Sequence, residues 1–319
     1  METSDINNHP STKKNTSLLK LLSLMLLFHI IQSNMAIAQQ DAVFSQYMFN
    51  GLAINPAYAG NQDQLSATAL YRKQWDNFQG APSTQTLSAH SGIKNKNIGV
   101  GLLAARDQIG IHNETRVYLT YAYKIKMQVG TLAMGIQGGF NNLYSDYTKL
   151  NLKSEKDVLM TGTSNSFNPN FGTGLFYSTS TAYVGFSIPY IVNGKLKRAS
   201  DVIEQGRQAR YYFLTAGNVF TVNRFLKVKP STLLRIQEGN AMNVDINGSL
   251  ILDDIITIGV SYRSKDAVVG MFELELSDQL RFGYAYDYTT SDIGQYANGS
   301  HEFMVNFRIP HHHKCHAYF

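Results

Sequence analysis

Glu273 and Glu275 stand two residues apart, a spacing that puts both carboxylates on one face of a strand. A carboxylate pair can divide acid and base roles between its members. Nothing in the chain supplies the rest of such a site, since it holds no GxSxG, no HExxH and no phosphate-cradling loop. The pair therefore reads as structural, facing an interior and meeting Arg263 or Arg281 from a neighbouring strand. The tail His311-His312-His313-Lys314-Cys315-His316 gathers metal-ligating side chains. A zinc centre needs spaced ligands that a fold converges, and these are contiguous, so no metal site is assigned. Asp107, followed by Gln108-Ile109-Gly110, reads as a turn in a loop. The chain is expected to be non-enzymatic and to carry no cofactor.

Composition points to a membrane wall. Charged residues make up 16% and aromatics 12%, with 19 Tyr, 17 Phe and a single Trp; soluble domains average roughly 25% charged residues. Mean hydropathy is −0.20, and no apolar run reaches the roughly eighteen residues that a spanning helix needs. Strands that alternate lipid-facing and interior residues cancel in such an average. The net charge is +5, but the positives are scattered singly. Nucleic acid is therefore not an expected partner, and anionic lipid headgroups of the outer membrane are.

Residues 1–38 have the form of a secretory signal: Lys13, Lys14 and Lys20, an apolar core from Leu21 to Ile31, then Ala36-Ile37-Ala38 as the cleavage site. Cleavage is expected between Ala38 and Gln39. A lone cysteine, Cys315, allows no intramolecular disulfide, so an exported chain must be held together otherwise; a closed strand ladder does that.

Beyond residue 64 the chain predicts fourteen strands: 65–72, 83–91, 97–106, 114–127, 129–142, 169–178, 180–188, 209–221, 226–237, 242–252, 254–263, 267–276, 278–288 and 300–309. Leu280, Phe282, Tyr284, Tyr286 and Tyr288 point one way while Arg281, Gly283, Ala285 and Asp287 point the other. Connections are short after several even strands and long, at 143–168, 189–208 and 289–299, after odd ones. This rhythm is that of an all-β transmembrane antiparallel barrel, with short turns and both termini in the periplasm. A soluble sandwich also alternates, but its outward face is polar. The domains are then a signal at 1–38, a periplasmic segment or plug at 39–64 and an outer-membrane barrel at 65–319.

Ordered blocks carry a family resemblance. Gln46-Tyr47-Met48 with Asn50, Ile54-Asn55-Pro56-Ala57-Tyr58-Ala59-Gly60, Tyr71-Arg72 with Gln74-Trp75, Gly80-Ala81-Pro82 leading to His90, and Tyr284-Ala285-Tyr286-Asp287 ahead of Ser300-His301-Glu302 resemble the PorP/SprF family of type IX secretion membrane proteins of Bacteroidota. The resemblance implies an outer-membrane barrel working with type IX secretion components. It also implies a part in the secretion, surface anchoring or localisation of a partner with a C-terminal sorting domain, gliding adhesins among them. The contact or motif positions it marks are Asn55, Pro56, Tyr58, Gly60, Tyr71, Arg72, Trp75, Gly80, Pro82, His90, Tyr284, Asp287 and His301. Trp75 also reads as an interface anchor. The rival function is a channel for small solutes.

Overall fold

The alternation of apolar and polar or small residues closes into a wall. The computed structural model describes residues 44–61, 64–94, 96–150, 162–192, 209–239 and 242–310. The signal, its Ala38–Gln39 junction and the His311–His316 tail lie outside the described residues. The strands are β1 (Gln64–Lys73), β2 (Ser83–Gly92), β3 (Ile98–Ile109), β4 (His112–Lys126), β5 (Thr131–Asp146), β6 (Thr163–Ser178), β7 (Ala182–Ile188), β8 (Tyr211–Asn218), β9 (Phe220–Thr221), β10 (Leu226–Gln237), β11 (Asn243–Leu252), β12 (Ile256–Arg263), β13 (Ala267–Glu275), β14 (Leu280–Thr289) and β15 (Ser300–Pro310). β8 and β9 both pair with β10 and form one stave interrupted at Val219. β10 pairs with β11 and β15 with β1, so fourteen antiparallel staves close on themselves.

Strand β4 shows how the faces divide. Leu119, Tyr121, Tyr123 and Ile125 are exposed on the outside, while Tyr118, Thr120, Ala122 and Lys124 are buried inside. A period of two sends successive side chains to opposite faces, and every stave repeats the division with apolar residues outward. Closure leaves no unpaired sheet edge, which is what allows strands to cross lipid.

The antiparallel order gives the barrel two unlike rims. Gln64 pairs with Pro310, so β1 begins and β15 ends on one rim. That rim carries the tight links 127–130, 179–181, 253–255 and 276–279. Asp253 and Asp254 both adopt positive φ there, at 50° and 57°, as a two-residue hairpin turn requires. The other rim carries 74–82, 147–162, 189–210 and 290–299, along with the shorter links 110–111, 238–242 and 264–266.

Two sequence expectations are corrected, a loop over 143–168 and a turn at Asp107. The 143–168 loop shrinks to 147–162, because β5 runs to Asp146 and β6 starts at Thr163. Asn165, Asn168 and Pro169 are strand residues paired with Tyr144, Asn141 and Phe140. Asp107 is not in a loop: it lies on β3, opposite Thr84, whose hydroxyl donates to its carboxylate at 2.7 Å.

The barrel interior holds a strap formed by residues 44–61. Three 3-10 turns, Tyr47–Phe49, Gly51–Ala53 and Pro56–Tyr58, keep it compact. Asn55 caps the third, its side chain accepting from the Ala57 amide, and Pro56 takes the first helical position, where no amide is needed. Tyr47, Leu52, Ala57, Tyr58 and Ala59 are buried against the wall. Small wall residues make room: a Cβ on Gly135 would lie 2.2 Å from the Ala57 nitrogen, and one on Gly99 2.0 Å from the Ala59 oxygen. Gly135→Leu therefore clashes with strap backbone, which cannot move aside as a flexible side chain can. We expect this variant to dislodge the strap and raise conductance in planar bilayers above that of the parent; equal conductance would mean that the strap does not seal the barrel.

Candidate functional site

Ionisable residues on five staves point inward and are buried, so they must satisfy one another. Arg72 near the end of β1, Asp287 near the end of β14, Glu302 near the start of β15, Arg263 closing β12 and Asp245 on β11 converge near the rim of the longer connections. Arg72 Nη2 lies 2.7 Å from Asp287 Oδ2, and Arg72 Nη1 lies 3.2 Å from Glu302 Oε2. Arg263 Nη1 reaches Asp287 Oδ2 at 3.0 Å, and its Nε reaches Asp245 Oδ2 at 3.1 Å. All five residues are buried.

Ser45 of the strap sits at the centre of this cluster. Its hydroxyl donates to Asp287 Oδ1 at 2.7 Å and accepts from Arg72 Nη1 at 2.9 Å and Arg263 Nη2 at 3.1 Å. The Ser45 and Gln46 amides donate to the two oxygens of Glu302 at 2.9 and 2.7 Å. One carboxylate thus grips two successive amides, and one hydroxyl bridges two guanidinium groups and a carboxylate.

From this clamp the strap runs toward the opposite rim. Ser88 Oγ donates to Asn50 Oδ1 at 2.8 Å, Asn247 Nδ2 donates to Tyr47 Oη at 2.5 Å, and Ser187 Oγ donates to the Ile54 carbonyl at 2.6 Å. Asn55 Nδ2 donates to the Leu175 carbonyl at 2.9 Å. The Gly60 amide donates to His90 Nδ1 at 3.2 Å, and Lys124 Nζ donates to the Gly60 carbonyl at 2.5 Å. The inward face of β2, Thr84, Thr86, Ser88 and His90, is a track of polar groups beside the strap. Phe44 therefore lies toward the rim of longer connections and Gly60 toward the rim where β1 begins.

The structure separates the motif residues into three sets. Arg72, Asp287, His90, Asn55, Pro56, Tyr58 and Gly60 converge on the strap and its contacts. Tyr71, Tyr284 and His301 lie on the outer face, where Tyr284 Oη and His301 Nδ1 are 2.9 Å apart and the Tyr286 and His301 rings pack at 5.1 Å. Trp75, Gly80 and Pro82 build the 74–82 connection. The Trp75 amide donates to Ser300 Oγ at 3.1 Å, the Gln74 amide to the Pro82 carbonyl at 2.9 Å and the Gly110 amide to the Gly80 carbonyl at 3.0 Å. Trp75 takes a φ of 48°, held by that contact.

Sequence reasoning did not single out Ser45, Glu302, Arg263 or Asp245 as a cluster. Glu302 carried a usable signal, an acid on the inward face between His301 and Phe303. Arg263 does not meet the Glu273–Glu275 pair. Arg281 does, at 2.9 Å to Glu273 and 2.5 Å to Glu275, and Arg308 also reaches Glu275. Among the described residues no group of three or more His, Cys, Asp or Glu could hold a metal ion.

A closed antiparallel barrel with an apolar outer belt and a polar interior is the architecture of an integral outer-membrane protein. Solved barrels with which it shares structural similarity include Omp33 of Acinetobacter baumannii (8% identity, TM-score 0.47, covering 78% of this chain and 100% of that one). The KdgM porin is similar at 12% identity and TM-score 0.39, covering 77% and 99%, and a TodX monoaromatic hydrocarbon channel at 10% and 0.40, covering 84% and 94%. No curated protein matches the chain. The chain belongs to the PorP/SprF family of type IX secretion system membrane proteins, whose model matches residues 36–307.

Removing one partner from a buried ion network leaves the other charges uncompensated, at a cost of about 3–5 kcal/mol. Asp287→Ala strands Arg72 and Arg263 together and is expected to cost that much. Ser45→Ala keeps every charge of the network paired and loses one shared hydroxyl, at a cost of about 1.5–3 kcal/mol in all. Heat-modifiable mobility on gels should therefore collapse at a lower temperature for Asp287→Ala than for Ser45→Ala, and the reverse order would refute this account of the clamp.

Proposed function

We propose that this protein is a non-enzymatic outer-membrane socket of the type IX secretion system that anchors or localises a secreted surface protein bearing a C-terminal sorting domain. The observation that carries this reading is the filled interior. A strap pinned at both rims turns the barrel into a rigid platform, whereas a solute channel needs a passage. Family membership supports the link to type IX components, and the sorting-domain cargo, gliding adhesins included, follows from the family resemblance. In this reading residues 1–38 are a signal removed after Ala38, residues 39–64 form the inserted segment and residues 65–319 the wall, in a cell of the Bacteroidota. The rim carrying 74–82, 147–162, 189–210 and 290–299 faces the exterior and meets the partner through its loops. Tyr71, Trp75 and His301 sit at headgroup level on that side, and the tight-turn rim faces the periplasm.

Deletion is expected to abolish surface display of one partner while export of unrelated cargo continues. Pull-down of the tagged barrel from solubilised outer membrane should bring that partner and type IX components together. A general export defect, or a barrel recovered alone, would overturn the socket. Orientation is checked separately in a Cys315→Ser background: an impermeant maleimide on intact cells should label Asp292→Cys and spare Asp253→Cys. The opposite labelling pattern would invert the rims.

A further inference from the structure

The pairing that closes the lipid-facing belt does not extend to the top of β6. The sixteen residues of this strand all pair with β5, whereas β7 pairs only with Thr173–Ser178. β6 therefore outruns β7 toward the rim of longer connections. The Phe171 carbonyl accepts from the Ile191 amide at 2.8 Å, so Phe171 turns its backbone away from β5. The β5–β6 register runs unbroken from Thr131–Ser178 to Asp146–Thr163, and alternate residues of an antiparallel strand address the same neighbour. Thr163, Asn165 and Phe167 thus turn N–H and C=O groups to the side that β7 does not reach, and Pro169 turns a C=O there. Proline suits such a side, since it has no donor to leave unpaired.

The described chain leaves this edge at Val192. Asn170, buried on the inner face, ends the ladder with its side chain. Its Oδ1 accepts from the Phe171 and Val192 amides at 2.8 and 2.9 Å, and its Nδ2 donates to the Val192 carbonyl at 2.9 Å. Among the described residues no strand pairs with Thr163–Phe167 on this side. Lipid does not cover it. At the height of Phe167 the outer face carries Gln85, Arg106, Thr115 and Asn142, linked pair by pair across β2–β5, so the edge stands above the apolar belt. A second copy does not fit either. Two barrels in one membrane are related by an axis along its normal, and strands that lean roughly 35–45° from that normal would cross there rather than align. An extended polypeptide segment does fit, because it supplies complementary N–H and C=O groups along the strand. Phe167, 63% exposed and stacked on Phe140 with ring centres 4.9 Å apart, offers a side-chain contact beside the edge.

We propose that the edge of β6 over residues 163–169 binds an extended strand of the secreted partner by β-strand addition, an inference that rests on the socket reading above. Hydrogen exchange on the full chain in nanodiscs is the first test. The Asn165 and Phe167 amides should exchange fast, and those of Ser164, Ser166 and Asn168, which face β5, slowly. Slow exchange throughout would mean that the chain covers its own edge, and would overturn the proposal. In cells, Asn165→Pro and Phe167→Pro each delete an edge-facing donor and leave the β5 ladder whole. Both should abolish surface display of the partner whose display deletion of the barrel abolishes, with heat-modifiable mobility unchanged. Asn165→Ala keeps the donor and should display far more partner than Asn165→Pro; equal loss would place recognition in the side chain and overturn the ladder. Normal display by the proline variants sinks the edge and leaves the socket standing. If deletion leaves every partner displayed, the socket reading falls and this one with it. Should a proline variant fail to fold, the complex recovered by pull-down carries the test: the Asn165 and Phe167 amides must exchange more slowly in it than in the barrel alone, and unchanged exchange overturns the proposal.

Discussion

Asp287 stands between Arg72 and Arg263, and the hydroxyl of Ser45 bridges all three. Two guanidinium groups share Asp287 Oδ2 and would repel each other if that carboxylate were lost. Glu302 and Asp245 extend the balance to the neighbouring staves. The strap enters this arrangement through groups that cost little to order: one hydroxyl and two successive amides. Its position, the polar track on β2 and the absence of side chains at Gly99 and Gly135 all follow from having that end held.

The interior around the strap accordingly combines charged and polar groups with buried apolar contacts. Tyr47, Leu52 and Tyr58 contribute burial, each at a scale of about 1.5–3 kcal/mol, against a backbone ordering cost of about 1–2 kcal/mol per residue. Summed over the eighteen residues of the strap the ordering cost exceeds what these three side chains return, so their apolar contact alone does not hold it in one conformation. Directional bonds between wall and strap choose the conformation: the strap's Asn55 donates to the Leu175 carbonyl of the wall, while Ser187 and Lys124 of the wall donate to the strap carbonyls of Ile54 and Gly60. The tight-turn rim repeats the theme with Arg281, Glu273, Glu275 and Arg308, which tie β13, β14 and β15 together.

The wall was legible because a lipid-facing stave leaves a strong signature: Leu119, Tyr121, Tyr123 and Ile125 admit no other use. Where the inward residues resemble loop residues the signature weakens. Ser164, Ser166 and Asn168 look like a connection, yet Phe167, Pro169 and Phe171 keep the outward spacing of two that places the run in β6. Asp107 misled for the same reason, a polar residue near a glycine whose true partner, Thr84, lies on another strand. The clamp was harder still. Arg72 and Asp287 stood out within motifs, but their pairing across 215 positions depends on barrel closure, and no local pattern reports that closure. The pairing of Arg263 with Asp245 and Asp287 rather than with the glutamates depends likewise on the height of each side chain along the barrel axis.

The strap's direction also constrains how the molecule is built. The strap joins β1 at one rim while its leading end lies near the other, so the chain crosses the whole interior before the first stave begins. Pulling a free end through a finished cylinder packed with charge pairs would mean breaking and remaking each of them in turn. The seam between β1 and β15 offers a simpler route: the sheet curls around a strap already lying on its inner face, and pairing of the first and last staves comes last. Arg72 and Glu302 sit on the two sides of that seam and both bind Ser45, so the same contacts that hold the strap also draw the closing edges together.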